Sequence, residues 1–157
     1  MPSIATFLTF IDQAEEAARF YTSIFPNSRI TKVSRFPDIP GAPFKAGGVM
    51  TVEFTLDGRE FVALNGGPEF IFTNAFSICV QCDTQAEVDR YWARLTEGGQ
   101  EVACGWLTDK FGVSWQIDPK ILMQLVTDPD PVKAKKAMTA MMTMKKIDRE
   151  ALKRAVA

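Results

Sequence analysis

The feature that most constrains this fold is a repeat, because one order of elements is written twice along the chain. Ile4 to Phe10 reads as an apolar strand. Asp12 then stands as a helix cap with Glu15 three residues on, the reciprocal arrangement that satisfies the first free backbone N–H groups of a helix. Ala14, Ala17, Ala18, Phe20, Tyr21, Ile24 and Phe25 supply the buried stripe of that helix, and Pro26-Asn27-Ser28 ends it. Arg29–Ser34, Val49–Leu56 and Arg59–Leu64 follow as strands, with Asp57-Gly58 a hairpin turn between the last two. The second copy begins with the strand Phe76–Cys82. Asp83 to Glu87 gives a cap with an acidic third residue, and Val88, Tyr91, Trp92 and Leu95 form an apolar helix face. Gly98-Gly99 stops that helix, and Glu101–Leu107 and Val113–Ile117 are the remaining strands. This copy is shorter, with one strand reduced or merged. Each copy is a βαβββ unit that leaves one sheet face uncovered, so two must pair. The expected class is α+β.

The stretch Gly105–Pro119 closes the second copy. Asp109 to Gly112 supplies a tight turn. Beyond it Val113, Trp115 and Ile117 share one strand face, and Ser114, Gln116 and Asp118 share the other. A polar row of that kind faces water or lines a site. Phe36–Gly48, with three Pro and three Gly, is a long loop placed to act as a lid. After the repeat, Asp118-Pro119 opens a short helix, Lys120–Thr127, which Asp128-Pro129-Asp130-Pro131 breaks. Val132–Met144 is a helix with Val132, Ala137, Met138, Met141 and Met142 on one side, and Asp148 caps a last turn or two through Leu152. The chain thus reads as one domain: module one at 3–68, module two at 74–118 and C-terminal helices at 119–157.

Composition excludes much chemistry. There is no His, which removes Ser-His-Asp and Cys-His catalysis, zinc hydrolase sites and the usual acid/base group at neutral pH. The three Cys are too few and too odd for a disulfide framework. Cys79 and Cys82 have metal-like spacing, but only Cys104 remains to join them. No apolar run approaches the roughly 20 residues of a membrane helix, and Met1-Pro2-Ser3-Ile4 does not begin a signal peptide. A cytoplasmic protein is expected. From Pro131 onward eight Lys and Arg stand against two Asp and Glu, while residues 1–130 hold ten basic and seventeen acidic residues. A basic tail suits nucleic acid, an anionic membrane, the acidic body of the same chain or a partner subunit. Its regular apolar stripe favours docking, with no nucleic acid or membrane partner.

Several segments together carry a family resemblance. Ala14 to Tyr21 continuing to Ser28, Leu64-Asn65-Gly66-Gly67-Pro68, Cys104-Gly105-Trp106-Leu107, Asp109 to Gln116, and Met144-Lys145-Lys146-Ile147-Asp148 resemble PhnB-like proteins. These form a branch of the vicinal-oxygen-chelate, or glyoxalase/bleomycin-resistance/dioxygenase, superfamily, often labelled 3-demethylubiquinone-9 3-methyltransferase. The resemblance implies two βαβββ modules in a partly open glyoxalase-like barrel, with a C-terminal helical tail, a cleft and commonly a homodimer. Enzymes of the superfamily hold a divalent metal in that cleft. The resemblance puts the metal-ligand positions on Thr6, Ser77, Gln116 and either Ala63 or Asn65. None is ionised or an imidazole, so no metal and no cofactor is expected.

Strand parity from that alignment puts Thr6, Leu8, Phe10, Phe61, Ala63, Asn65, Ser77, Cys79, Gln81, Ser114 and Gln116 on the cleft. The favoured expectation is a metal-independent protein that binds a small, largely apolar or aromatic ligand there. The alternatives are an enzyme, either the labelled methyltransferase or an isomerase or lyase using carboxylates such as Glu53 or Asp109, and a dimeric structural module with no ligand. Trp106 and Trp115 read as core.

Overall fold

Strand pairing follows the repeat. The structure is a computed structural model that describes residues 1–157, and the chain divides into two units, Met1–Ile71 and Phe72–Ala157. The first contains β1 (Thr6–Phe10), α1 (Ala14–Ile24), β2 (Arg29–Arg35), β3 (Val49–Leu56) and β4 (Arg59–Asn65). Its sheet has the order β1-β4-β3-β2. β1 lies parallel to β4, and the other pairs are antiparallel. α1 packs across this sheet, chiefly on β3. Ala14, Ala17 and Ala18 are fully buried and let the helix approach closely, beside Leu8, Phe10, Val52, Phe54, Leu56, Phe61 and Ala63. Phe54 stacks on Phe61 across the strands at 5.4 Å between ring centroids, and the Tyr21 ring lies 6.3 Å from Phe54.

The cap of α1 differs from the expected Asp12–Glu15 pair. Gln13 occupies the cap position and its side chain makes no capping bond. Instead the Ala14 N–H donates to Asn65 Oδ1 at 2.9 Å, and Asn65 Nδ2 donates to the Val49 carbonyl at 3.0 Å. A residue at the end of β4 thus performs a task that local sequence assigned to Asp12. The Phe36–Gly48 loop closes on itself. Phe36 N–H donates to Gly48 O at 2.8 Å, Gly47 N–H to Phe36 O at 2.9 Å, and Phe36 stacks on Phe44 at 4.3 Å.

The second unit repeats the pattern with β5 (Ile78–Cys82), α2 (Gln85–Thr96), β6 (Gln100–Glu101), β7 (Trp106–Thr108) and β8 (Ser114–Pro119). Its sheet order is β5-β8-β7-β6. Here the capping box forms as expected: Thr84 Oγ1 accepts from Glu87 N–H at 3.2 Å, and Glu87 Oε2 accepts from Asp83 N–H at 2.8 Å. The expected strand from Glu101 to Leu107 is broken into β6 and β7. Cys104 and Gly105 both take positive φ, 61° and 84°. That bend aims their N–H groups outward, where they donate at 2.8 Å to the carbonyls of Met144 and Lys145.

The tail is therefore part of this unit. It comprises α3 (Lys120–Val126), α4 (Pro131–Met141) and α5 (Arg149–Val156). α4 stops before the expected Met144, because the following residues turn into the strap that meets Cys104 and Gly105. α5 runs beyond the expected Leu152. Gln85 grips the strap twice: its Nε2 donates to Ile147 O at 2.9 Å and its Oε1 accepts from Arg149 N–H at 2.8 Å. Ile147, Leu122 and Leu152 form a buried cluster beneath. Lys146 pairs with Asp89 at 2.8 Å, an exposed contact worth little beside the burial. Of the roles open to a basic tail, the inner side of this one docks on its own unit. No helix is long and apolar enough to cross a membrane.

Gly105 is needed for both its φ and its space. A Cβ there would lie 2.8 Å from Asp118 Oδ1 and 3.0 Å from Ile147 Cγ1. Gly105→Ala is expected to cost about 2–4 kcal/mol through left-handed strain and a displaced tail. Urea unfolding measures this; an unchanged midpoint would show that the bend tolerates a side chain.

Candidate functional site

With one helix on each sheet, the opposite face is what remains for chemistry. In the second unit Leu107, Trp115 and Ile117 are completely buried on the side of Val88, Tyr91, Trp92 and Leu95 from α2. Alternation then sends the neighbours of Trp115 and Ile117 to the other face. Across three strands Cys79, Gln116 and Trp106 stand side by side, flanked by the pairs Gln81–Asp118 and Thr108–Ser114. The row is tied by three side-chain hydrogen bonds. Ser114 Oγ donates to Asn74 Oδ1 at 2.8 Å, Gln116 Nε2 donates to Ser77 Oγ at 2.8 Å, and the Cys79 thiol donates to Asp118 Oδ2 at 3.5 Å. The structure thus puts Ser77, Cys79, Ser114 and Gln116 on one face of this sheet. Phe72 lies at the β7–β8 turn, with its ring and Cβ 3.8–3.9 Å from where a Gly112 Cβ would stand.

The row also contains Trp106, which the sequence reading put in the core, and Asp118, which it put on the polar face without assigning it to the cleft. Trp106 is half-buried beside Gln116 rather than sealed in the core. Asp118 is 7% exposed, and its Oδ1 has no hydrogen-bond partner. Burial pushes its carboxyl up to about 6, partly offset by the Cys79 thiol. Part of Cys79 reaches solvent, but its sulfur sits against Asp118. Burial on that side, then the charge and hydrogen bond of Asp118, push the thiol up to about 12. Cys82 is turned to the buried face, where burial first and the charge of Glu87 second push it up to about 12 as well. Both thiols stay protonated at neutral pH and are not poised as nucleophiles. The strand puts them on opposite faces despite their spacing.

Asp109 is a structural hub. It is 3% exposed; Oδ1 accepts from Phe111 N–H at 2.8 Å and Val113 N–H at 3.0 Å, and Oδ2 accepts from Trp115 Nε1 at 2.8 Å. Its lone pairs hold the β7–β8 turn, leaving it unsuited to the proton-transfer role considered from sequence.

In the first unit the parity is the reverse of that read from sequence. Leu8, Phe10, Phe61 and Ala63 lie in the core on the α1 face. Thr6 shares that face through its pairing with Phe61, and Asn65 is occupied in capping α1. The face away from α1 carries Phe7, Thr9, Thr51, Glu53, Val62 and Leu64, with Phe7 59% exposed. The reason is visible in β1: Thr6-Phe7-Leu8-Thr9-Phe10 has bulky apolar residues on both parities, so alternation does not decide its inner face. Phe70 packs against the end of this open face. A Cβ on Gly66 would stand 2.5 Å from Thr9 Cγ2 and 2.9 Å from Phe70 Cε2.

No group of three or more His, Cys, Asp or Glu side chains comes together as a metal-binding cluster.

Residues 2–118 match the family model described as 3-demethylubiquinone-9 3-methyltransferase. A Bacillus cereus structure described as a candidate 3-demethylubiquinone-9 3-methyltransferase, PhnB protein, is 38% identical with a TM-score of 0.67, over 75% of this chain and 99% of that one. A Pseudomonas aeruginosa protein is 22% identical with a TM-score of 0.65, over 76% of this chain and 98% of its own. The fosfomycin resistance protein FosX from Listeria monocytogenes, solved with Mn(II) and sulfate, is 16% identical with a TM-score of 0.51, over 75% and 89%. The last two show the fold alone. No protein of curated function matches the chain.

Asp118 gives a pH test of the row. Its folded value near 6 lies about 2 units above that of a free Asp. The carboxyl therefore favours folding below about pH 4, and this contribution is lost as pH rises through 6. Asp118→Asn is expected to be more stable than the natural chain by about 3 kcal/mol at pH 8, with the difference vanishing below about pH 4. Urea titrations at the two pH values check this, and a pH-independent difference would contradict it.

Proposed function

The chain belongs to the 3-demethylubiquinone-9 3-methyltransferase family, PhnB-like proteins of the vicinal-oxygen-chelate fold, and from that membership we propose that it is a metal-independent binding protein for a small, flat, largely apolar or aromatic ligand. The observation that carries this reading is the Ser77–Gln116 bond. Ser77 accepts the amide proton, so its own O–H is left to donate. Gln116 has given its N–H, so its Oε1 is left to accept. A donor and an acceptor thus stand side by side, with the Trp106 ring next to them in the sheet. That set is complementary to a planar molecule with a carbonyl adjacent to an O–H or N–H, its ring laid on the indole.

The divalent metal common in the superfamily does not fit these donors. Ser77 and Gln116 are neutral and bonded to each other. Asn65 is bonded to α1 and β3, and Thr6 pairs on the α1 face with Phe61. Neutral hydroxyls and amides compensate poorly for dehydrating a dication. Methyl transfer, the reaction in the family's description, stands behind binding. Gly66-Gly67 leads from β4 into a linker and Gly47-Gly48 from a loop into β3, so neither pair opens a helix after a strand.

Titration calorimetry with 2-pyridone, tropolone and 2-hydroxy-1,4-naphthoquinone, with EDTA present, tests the proposal. At least one probe is expected to bind and quench tryptophan fluorescence. Ser77→Ala and Gln116→Leu are each expected to weaken it about tenfold, the worth of one hydrogen bond near 1.4 kcal/mol. Binding that disappears with EDTA and returns with Mn(II) or Zn(II) would overturn metal independence. No binding by any probe would leave a module without this ligand.

A further inference from the structure

We propose that Asn65-Gly66 is a self-modification site held silent by the fold, where opening of the first unit lets the chain convert Asn65 and lose the cap of α1. The amide carbon of an asparagine side chain is an electrophile, and the backbone nitrogen of the next residue can close a five-membered ring on it. A side chain on that next residue crowds the approach, and glycine has none. The chain has three asparagines, and Asn65 alone precedes a glycine; Asn27 precedes Ser28 and Asn74 precedes Ala75. Packing forces the pairing. A Cβ on Gly66 would meet Thr9 and Phe70, and Asn65 supplies the capping bond that Gln13 does not make.

Three bonds keep the pair inert. Asn65 Oδ1 accepts from Ala14 N–H at 2.9 Å and Nδ2 donates to Val49 O at 3.0 Å, so the side chain is tied at both ends. Gly66 N–H donates to Phe10 O at 2.8 Å, which holds the attacking nitrogen and its proton in place. Phe10 and Asn65 are the last register pair of β1 and β4, Ala14 opens α1 and Val49 opens β3. All three bonds thus sit at element ends, which open more readily than a core. Asn65 is half-buried, so water reaches this corner. Once the bonds part, Gly66 N gives up its proton and bonds to Asn65 Cγ. The Cγ–Nδ2 bond breaks, and the amide nitrogen leaves with that proton as ammonia. Water then opens the cyclic imide at one carbonyl or the other, to aspartate or isoaspartate. Ammonia is lost, so the change does not reverse. The aspartate still accepts from Ala14 N–H but sets an acceptor against Val49 O where a donor stood. The isoaspartate adds one carbon to the backbone and moves Gly66 away from Phe10 O. Either product anchors α1 poorly on β4, so the site records opening of this corner.

Peptide-mapping mass spectrometry of the full chain, incubated folded and in urea at the same mildly alkaline pH, tests this. In urea Asn65 is expected to convert about tenfold faster than Asn27 and Asn74, whose following side chains crowd the ring closure. It is also expected to convert about a hundredfold faster in urea than in the folded chain, where conversion waits for opening. After urea is removed, the fraction regaining the original unfolding midpoint is expected to fall in step with conversion at Asn65. Asn65→Asp, which encodes one product from the outset, is expected to raise the unfolding constant about tenfold. Equal conversion in the folded and unfolded chains overturns the proposal. So does an Asn65 that converts no faster than Asn27 in urea, and so does a converted chain that refolds with its original midpoint. None of these readouts depends on ligand binding at Ser77 and Gln116.

Discussion

Burial of one sheet face beneath one helix is the constraint on which both units depend. Each sheet has four strands and one long helix against it, and alternation permits only two assignments of faces. Tyr21, Phe54 and Phe61 commit the first unit; Trp92, Trp115 and Ile117 commit the second. What each unit can do is set by the residues left over. The first leaves Phe7, Val62 and Leu64 around Glu53, with Glu60 further along the same face. The second leaves amides, hydroxyls, a thiol and a shielded acid. Two copies of one fold have thus kept the same inner architecture and diverged in chemistry on the outer face.

The contrast between Asp109 and Asp118 shows how much a few donors decide. Both are buried. Asp109 receives two backbone N–H groups and an indole N–H, and so becomes the brace of a turn. Asp118 receives one weak thiol donor, and one of its oxygens receives nothing. A buried carboxylate without donors is held towards its neutral form. Similar depth therefore gives one acid a structural task and leaves the other as a charge the fold resists.

How far the sequence could be read follows from whether the relevant forces were local. Leading into and along β8, Val113, Trp115 and Ile117 alternate cleanly with Ser114, Gln116 and Asp118, and the polar row was legible from that alone. In β1 no such contrast exists, and the inner face was settled by the fit of α1 against β3. The cap on α2 was legible because Thr84 and Glu87 are neighbours in sequence. The cap on α1 was not, because Asn65 comes from β4. Cys104 is a non-glycine residue in left-handed conformation, and nothing near it in sequence announces the strap it holds. Trp106 looked like core for the same reason: its place beside Gln116 depends on a strand break at that bend.

The clamp on Gln85 has a consequence for how the chain is made. Its two partners lie 62 and 64 residues further along, close to the C-terminal end of this chain. Ordered contacts at such separation form late and slowly. The first unit has all its strands once Asn65 has emerged and can mature early in synthesis. The second must wait, with Trp92, Trp115 and the bend at Gly105 unsecured, until Ile147 arrives. The final helices thus time the maturation of the polar row, and a chain released before them would carry a complete first unit and an unfinished second one.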